Sequence, residues 1–180
     1  MSVSAAALPP PRDPGAPYTV CLVCLGNICR SPTAEVVLRS ELARAGLAEA
    51  VTVDSAGTGD WHIGHPMDHR AHAELARRGH DGSAHRARQI DASWLPSRDL
   101  FLAMDHRNLA DLRRMADQAG VPATRVRLFG AAGGLGPDQD IPDPYGGEAG
   151  DFATALELIQ AGARQLTGQL AVLLAGHTRA

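Results

Sequence analysis

The chain has 180 residues, a length that favours one domain with a full hydrophobic core. Its formal net charge is −3 and 44% of its residues are hydrophobic, which is ordinary for a globular protein and gives no reason to expect nucleic acid as a partner. No segment has the length and polarity of a membrane span. The 17 Lys and Arg positions are all arginine, which excludes a Schiff-base lysine and the lysine of a P-loop NTPase.

The three cysteines and the N-terminal segment indicate the setting of the protein. Cys21, Cys24 and Cys29 lie within nine residues, so disulfides cannot join distant parts of the fold. We therefore expect a reducing, cytoplasmic environment. Residues 1–17 are rich in Ala and Pro and lack a signal-peptide pattern, and we expect a flexible tail there, followed by a single domain of residues 18–180.

Strands alternate with helices along the rest of the chain. Predicted strands cover residues 18–23, 51–56, 99–104 and 125–129, and predicted helices cover residues 31–45, 66–78, 105–119 and 151–174. Ser31 is the expected N-cap of the first helix, with Pro32 at its first position. Residues 130–150, dense in Gly, Pro and Asp, are expected to form a long loop. This alternation predicts an α/β fold of the flavodoxin-like, doubly wound kind, with a four-stranded parallel sheet and helices on both faces.

The loop between the first strand and the first helix has the composition of an anion site. Its backbone N–H groups can converge on a phosphate beside the positive end of the helix dipole. Arg30 can grip two phosphate oxygens with its planar fork. The same charges favour the thiolate form of Cys24, which makes that residue a candidate nucleophile. The residues expected to bind phosphate are Leu25, Gly26, Asn27, Ile28, Cys29 and Arg30.

A phosphate monoester also needs a proton for its leaving oxygen, and the loop of residues 130–150 contains three acids that are able to supply it. Asp138, Asp140 and Asp143 are equivalent on the residue pattern alone. Each is also of the type found as a solvated loop charge.

The segment Cys24 to Pro32 closely resembles the signature of the low-molecular-weight protein tyrosine phosphatases. The resemblance spans nearly the whole chain after the tail, with further matching segments at residues 54–57 with Trp61, 85–90, 104–105 with Asn108, and 143–145. It implies a phosphocysteine intermediate on Cys24, with Asp143 as general acid and then base, and no cofactor or metal. It also implies a reversible disulfide between Cys24 and Cys29 that protects the nucleophile.

The resemblance assigns further roles around the loop. Supporting hydrogen bonds are implied for Asn27, Ser31, Ser55 and His85, and an apolar pocket wall suited to an aromatic ester for Leu25, Ile28, Trp61 and Tyr145. The expected substrates are phosphotyrosine proteins or peptides, with phosphoarginine or small aryl phosphates as alternatives, and inorganic phosphate is the expected product and inhibitor. Many relatives have a second tyrosine where this chain has Gly146, which predicts a more open pocket mouth.

Other interpretations of the same residues remain open. Cys21 and Cys24 have a CxxC spacing, but residues three apart in a strand point to opposite faces, which disfavours a redox or metal pair. His62, His65, His69 and His72 are interpreted as surface histidines rather than metal ligands. A thioredoxin-coupled arsenate reductase needs further downstream cysteines, and none follows Cys29. A non-catalytic module that binds phosphotyrosine or phosphoarginine is the competing class of function.

Overall fold

The computed structural model describes residues 7–177, and its central feature is a four-stranded, all-parallel β-sheet. The strands are β1 (Tyr18–Cys24), β2 (Val51–Gly57), β3 (Leu100–Ala103) and β4 (Val126–Leu128), in the order β2-β1-β3-β4. This order confirms the predicted flavodoxin-like class. Because β2 and β3 lie on opposite sides of β1, the carboxyl end of β1 is the topological switch point where such sheets bind ligands.

The four predicted long helices are present, with a short fifth one. Within residues 7–177 they are α1 (Arg30–Arg44), α2 (His69–Arg77), α3 (His106–Gln118), α4 (Phe129–Ala132) and α5 (Ala149–His177), and short 3-10 helices occupy Ala92–Ser97 and Ala123–Arg125. In the described part of the chain, no helix is long and apolar enough to cross a bilayer.

Each of the four predicted helices differs from the observed one by one to three residues at its ends. The expected N-cap role of Ser31 is wrong, because α1 already begins at Arg30 and the Ser31 hydroxyl group contacts the phosphate-binding loop instead. The second helix starts three residues later than predicted, since the carboxylate of Asp68 accepts the Arg70 backbone N–H and caps α2. The loop of residues 130–150 is shortened at its start by α4 and at its end by α5.

Both faces of β1 are buried, which explains its nearly continuous apolar sequence. Tyr18, Leu22 and Cys24 belong to the core cluster that also contains side chains of α1, α2 and α5. Cys21 and Val23 belong to a second cluster, which packs against α3. The two cysteines of the CxxC spacing therefore lie on opposite faces of the sheet, as predicted.

The segment before β1 contacts the domain along much of its described length. Leu8 is buried in the core, and the Tyr18 hydroxyl group donates to the carbonyl oxygen of Pro9 at 3.0 Å. The backbone N–H of Arg12 donates to Asp99 at 2.7 Å, across 87 positions of sequence. Residues 8–12 are thus held in place, in contrast to the flexible tail expected there, and residues 1–6 of that tail lie outside the described residues.

Candidate active site

The predicted phosphate-binding loop, residues 24–30, lies at the switch point between β1 and the first turn of α1. Asn27 has a φ of 56°, and among residues 7–177 it is the one non-glycine residue with a left-handed backbone. Gly26 does not adopt that conformation; instead, a Cβ at Gly26 would lie 3.0 Å from Cδ2 of His62. Asn27 therefore bends the backbone of the loop, whereas Gly26 leaves space for a neighbouring side chain.

Cys24 lies at the bottom of this loop and is buried. Its sulfur atom is 3.0 Å from the hydroxyl oxygen of Ser31 and accepts the backbone N–H of Asn27 at 3.3 Å. A hydroxyl group and a backbone N–H are thus both in place to donate to the sulfur when it carries a negative charge, and hydrogen bonds to an anion are the stronger ones. The geometry therefore suits Cys24 both as an attacking and as a departing sulfur.

Asn27 is the centre of a buried hydrogen-bond network behind the loop. Its side-chain nitrogen donates to the hydroxyl oxygens of Ser31 and Ser55, each at 2.9 Å. Ser55 in turn donates to Glu35, a residue that the sequence analysis did not select. Since Glu35 can only accept, it fixes the Ser55 hydroxyl hydrogen and leaves the oxygen of Ser55 free to accept from Asn27. The sequence feature that could have indicated Glu35 is its spacing of four residues from Ser31, which places both residues on one face of α1.

Two residues from the segment after α2 hold Asn27 from the other side. Nε2 of His85 lies 2.7 Å from the carbonyl oxygen of Asn27, and the backbone N–H of Arg88 donates to its side-chain oxygen at 2.8 Å. Burial lowers the pKa of His85 below its ordinary value, so the ring is neutral at neutral pH. Because a carbonyl oxygen only accepts, the neutral ring carries its proton on Nε2. The four predicted support residues thus converge on the loop.

Arg30 projects from the first turn of α1 and is 3% exposed. One guanidinium nitrogen donates to Asp105 at 2.7 Å and to the carbonyl oxygen of Ile141 at 3.0 Å, and the other donates to Asp143 at 3.2 Å. Burial opposes the charge of Arg30, but the neighbouring Cys24, Asp105 and Asp143 outweigh it and raise its pKa above the ordinary value. Arg30 is therefore charged whenever an anion occupies the loop.

The three acids of the long loop, which the sequence left equivalent, occupy different places in the structure. Asp143 lies beside the Cys24 loop and faces Arg30. Asp140 instead lies 2.7 Å from Nδ1 of His106, and Asp138 lies 3.8 Å from Nε2 of the same ring. Of these acids, Asp143 is the one placed to reach an ester bound above Cys24.

A pocket of about 120 Å³ opens above the sulfur of Cys24. All four predicted wall residues line it, together with the loop, Asp143 and one histidine: the lining consists of Cys24, Leu25, Gly26, Ile28, Cys29, Arg30, Trp61, His62, Asp143 and Tyr145. His62, one of the histidines interpreted as surface residues rather than metal ligands, is half-buried and lines this pocket. Its ring centroid lies 6.1 Å from that of Tyr145, so an imidazole and a phenol ring form one side of the pocket.

The end of β2 touches the phosphate-binding loop directly. A Cβ at Gly57 would lie 2.6 Å from the carbonyl oxygen of Leu25 and 3.1 Å from the backbone nitrogen of Asn27. The strand and the loop therefore approach each other as closely as their backbones allow. The second predicted strand ends at residue 56, one residue before Gly57, and this contact was not predicted from the sequence.

Cys29 is the other cysteine of the loop, and burial raises the pKa of its thiol above the ordinary value. All three cysteines are buried and free, and the disulfide between Cys24 and Cys29 stays a prediction. Within residues 7–177 no group of three His, Cys, Asp or Glu side chains is arranged to hold a metal ion.

One pocket thus contains a buried cysteine, an arginine and a carboxylate, which a strand, a loop and a helix N-terminus bring together. This arrangement defines a phosphohydrolase site on a doubly wound sheet. Residues 19–173 match the family model described as low molecular weight phosphotyrosine protein phosphatase. A low molecular weight protein-tyrosine-phosphatase of Streptomyces coelicolor is 45% identical over 161 residues, which cover 87% of this chain and 93% of the relative. The chain belongs to the low-molecular-weight protein tyrosine phosphatase family and is a phosphatase.

Solved structures agree with this assignment. YfkJ of Bacillus subtilis superimposes with a TM-score of 0.81 at 35% identity, covering 88% of this chain and 97% of that one. The YwlE arginine phosphatase, solved as a mutant with a phosphorylated active-site serine, gives a TM-score of 0.76 at 28% identity, covering 86% of this chain and 96% of that one.

Proposed function

We propose that this phosphatase hydrolyses phosphotyrosine in proteins through a covalent phosphocysteine on Cys24, with Asp143 as the proton donor. The observation that carries the proposal is that Cys24, Arg30 and Asp143 line one pocket, whose remaining wall is largely apolar and aromatic. We also propose a cytoplasmic setting, because the reaction needs Cys24 as a free thiolate.

In the first step, the Cys24 thiolate attacks the phosphorus atom, so that a sulfur–phosphorus bond forms as the bond between phosphorus and the tyrosine oxygen breaks. The electron pair of the broken bond stays on that oxygen, which takes the proton of Asp143 and leaves as the phenol. Arg30 and the backbone N–H groups of the loop stabilise the negative charge on the phosphoryl oxygens.

In the second step, water attacks the phosphocysteine and gives its proton to Asp143. The sulfur–phosphorus bond breaks, its electron pair returns to Cys24, and inorganic phosphate is released. The Ser31 hydroxyl group, 3.0 Å from the sulfur, stabilises the departing thiolate.

The pocket wall supports tyrosine over arginine as the phosphorylated side chain. Leu25, Ile28, Trp61 and Tyr145 offer apolar and aromatic surface to a phenyl ring. A phosphoarginine carries a guanidinium group that needs an acceptor, and among the lining residues Asp143 is the one carboxylate. The same residue is assigned to proton transfer, which leaves no second acid in the pocket lining to pair with a guanidinium group.

The proposal is tested with purified, reduced protein and p-nitrophenyl phosphate at mildly acidic pH without added metal. We expect hydrolysis that inorganic phosphate inhibits competitively, and none in Cys24→Ser. Turnover by Cys24→Ser would overturn the mechanism. Absence of turnover in the wild type, with phosphopeptide binding retained, would instead favour a binding module.

The role of Asp143 is tested against a matched variant of the same loop. With a phosphotyrosine peptide as substrate, Asp143→Ala should lower kcat by about 10²-fold or more, because general acid catalysis contributes that much, while the inhibition constant of phosphate changes little. Asp138→Ala, which changes an acid that does not line the pocket and lies beside His106, should leave kcat unchanged. Equal effects of the two substitutions would assign the acid elsewhere.

Substrate class is tested with peptides of one sequence that carry phosphotyrosine, phosphoserine or phosphoarginine. We expect the highest kcat/KM for phosphotyrosine, because phosphoserine brings no ring to the wall and phosphoarginine brings an unpaired charge. A higher kcat/KM for phosphoarginine would reverse the assignment of substrate without affecting that of Cys24.

A further inference from the structure

Arg70 lies at the start of α2 and links the two loops that carry the proposed reaction. Its guanidinium group pairs with the carboxylate of Asp68 at 2.9 Å. It also donates to the carbonyl oxygen of Tyr145 at 2.9 Å and to that of Gly147 at 3.4 Å. The same group lies over the ring of Phe152, 4.6 Å from its centroid. Arg70 does not line the pocket, and the sequence analysis assigned it no role.

One end of this link is fixed to the phosphate-binding loop. Asp68 is the N-cap of α2, and its backbone N–H donates to the carbonyl oxygen of Ile28 at 2.8 Å. Burial works against the charge of Asp68, but hydrogen bonds from Arg70 outweigh it and hold the pKa of this carboxyl group below its ordinary value. Asp68 is therefore ionised and holds Arg70 at a fixed distance from the loop.

The other end of the link reaches the general acid through the backbone of Tyr145. The carbonyl oxygen of Tyr145 accepts from Arg70, and its backbone N–H donates to Oδ1 of Asp143 at 3.2 Å. Two hydrogen bonds and one residue thus separate the guanidinium group from the acid. A shift of the Tyr145 backbone would move the carboxyl group of Asp143 with it.

The segment has few other contacts that would order it. Between Pro144 and Phe152, all of which the structure describes, no residue is buried. Gly146 and Gly147 lie in this stretch, and glycine loses more backbone freedom on ordering than any other residue. The contacts with Arg70 are therefore a substantial part of what holds this segment against the domain.

We propose that Arg70 is the positioning residue for the general acid, because it holds the segment after Asp143 at a fixed position relative to the phosphate-binding loop. This inference rests on the proposed function, because it takes Asp143 as the proton donor. Arg70 acts through the backbone of Tyr145 and does not touch the ester.

A displaced acid has an effect that depends on the leaving group. p-Nitrophenol is an acidic phenol and leaves without much help, whereas unsubstituted phenol needs the proton. kcat/KM includes the step in which the phenol leaves, and the later hydrolysis of the phosphocysteine has no phenol in it. We expect Arg70→Ala to lower kcat/KM about tenfold more for phenyl phosphate than for p-nitrophenyl phosphate, a partial loss of the contribution of the acid.

The double variant shows whether Arg70 acts through Asp143. In an Asp143→Ala background, the ratio of the two kcat/KM values should not change further when Arg70→Ala is added, because the group being positioned is gone. Arg70→Lys keeps the charge but not the fork that reaches two carbonyl oxygens, so its ratio should fall between those of the wild type and Arg70→Ala. If Arg70→Ala does not fold, the ratio of the two kcat/KM values is compared in Arg70→Lys instead, with and without Asp143→Ala.

Arg77→Ala is the matched control, since Arg77 is an exposed arginine of the same helix that pairs with Glu74. It should leave the ratio unchanged. Equal losses for the two esters in Arg70→Ala would overturn the inference, as would a further change of the ratio in the Asp143→Ala background. Failure of the proposed function has a different signature, because the ratio would then not respond to Asp143→Ala itself.

Discussion

Asn27 is the residue on which the phosphate-binding loop most depends, and its substitution separates two contributions to stability. Asn27→Ala removes three side-chain hydrogen bonds, to Ser31, Ser55 and the backbone N–H of Arg88. At about 1 kcal/mol net for each bond, their loss lowers the free energy of unfolding by about 3 kcal/mol. The left-handed backbone at this position, with a φ of 56°, is a second and independent cost for alanine.

Asn27→Gly isolates the backbone contribution, because glycine adopts the left-handed conformation without strain. The strain of about 1–2 kcal/mol in alanine is partly offset by the greater freedom of glycine in the unfolded chain, worth about 0.5–1 kcal/mol. We therefore expect Asn27→Gly to be less stable than the wild type by about 3 kcal/mol, and Asn27→Ala by about 4 kcal/mol.

Urea denaturation followed by far-UV circular dichroism measures both values, with the slope of the free energy against urea as a check on two-state unfolding. Two results would refute the reasoning. If both variants lose less than about 1 kcal/mol, the network does not hold the loop. If Asn27→Ala is as stable as Asn27→Gly, the backbone at Asn27 is not under the constraint that its φ indicates.

Two further predictions concern the neighbours of the loop. Gly57→Ala places a methyl group against the backbone of Leu25 and should lower kcat/KM for p-nitrophenyl phosphate by about tenfold or more, because small displacements of a reacting site are costly. Gly168→Ala, in an open part of α5, is the control. Equal activity of the two variants would contradict the close approach of Gly57 to the loop. His85 has a folded-state pKa below its ordinary value of 6.5, so its stabilising contribution is present above that pH and is lost as the pH falls through the folded-state value. The free energy of unfolding should thus decline more steeply on acidification in the wild type than in His85→Gln, and parallel declines in urea titrations at neutral and acidic pH would contradict this.

The sequence predicted the parts of the molecule that depend on neighbouring residues. The α/β class followed from the alternation of strands and helices, and the anion loop from a strand, a glycine-containing turn and a helix start within fifteen residues. Cys24, Arg30 and Asp143 were selected by a local motif and the resemblance that it carries. All three line one pocket in the structure.

The parts that the sequence missed depend on contacts between distant segments. The backbone N–H of Arg12 donates to Asp99 across 87 positions, and composition does not indicate a contact of that kind. Residues 1–17 were therefore assigned to a tail. Arg70 contacts Tyr145 across 75 positions, and no pattern along the chain indicates such a pair. The place of His62 in the pocket lining was not predicted, because a histidine in a polar loop looks the same in sequence whether it faces solvent or a pocket.

The two carboxylates that pair with Arg30 differ in a way that fits the proposed mechanism. Asp105 lies 2.7 Å from the guanidinium group, is 23% exposed, and is fixed as the N-cap of α3. Asp143 lies 3.2 Å away and is 44% exposed, and pairs of that kind contribute about 0–1 kcal/mol at most. A phosphate dianion can therefore replace Asp143 at one nitrogen of Arg30 at small cost, while Asp105 keeps the arginine in place. The displaced carboxyl group is then free to turn towards the leaving oxygen of the bound ester. Under the proposed mechanism, binding of the ester thus frees the acid that the first step requires.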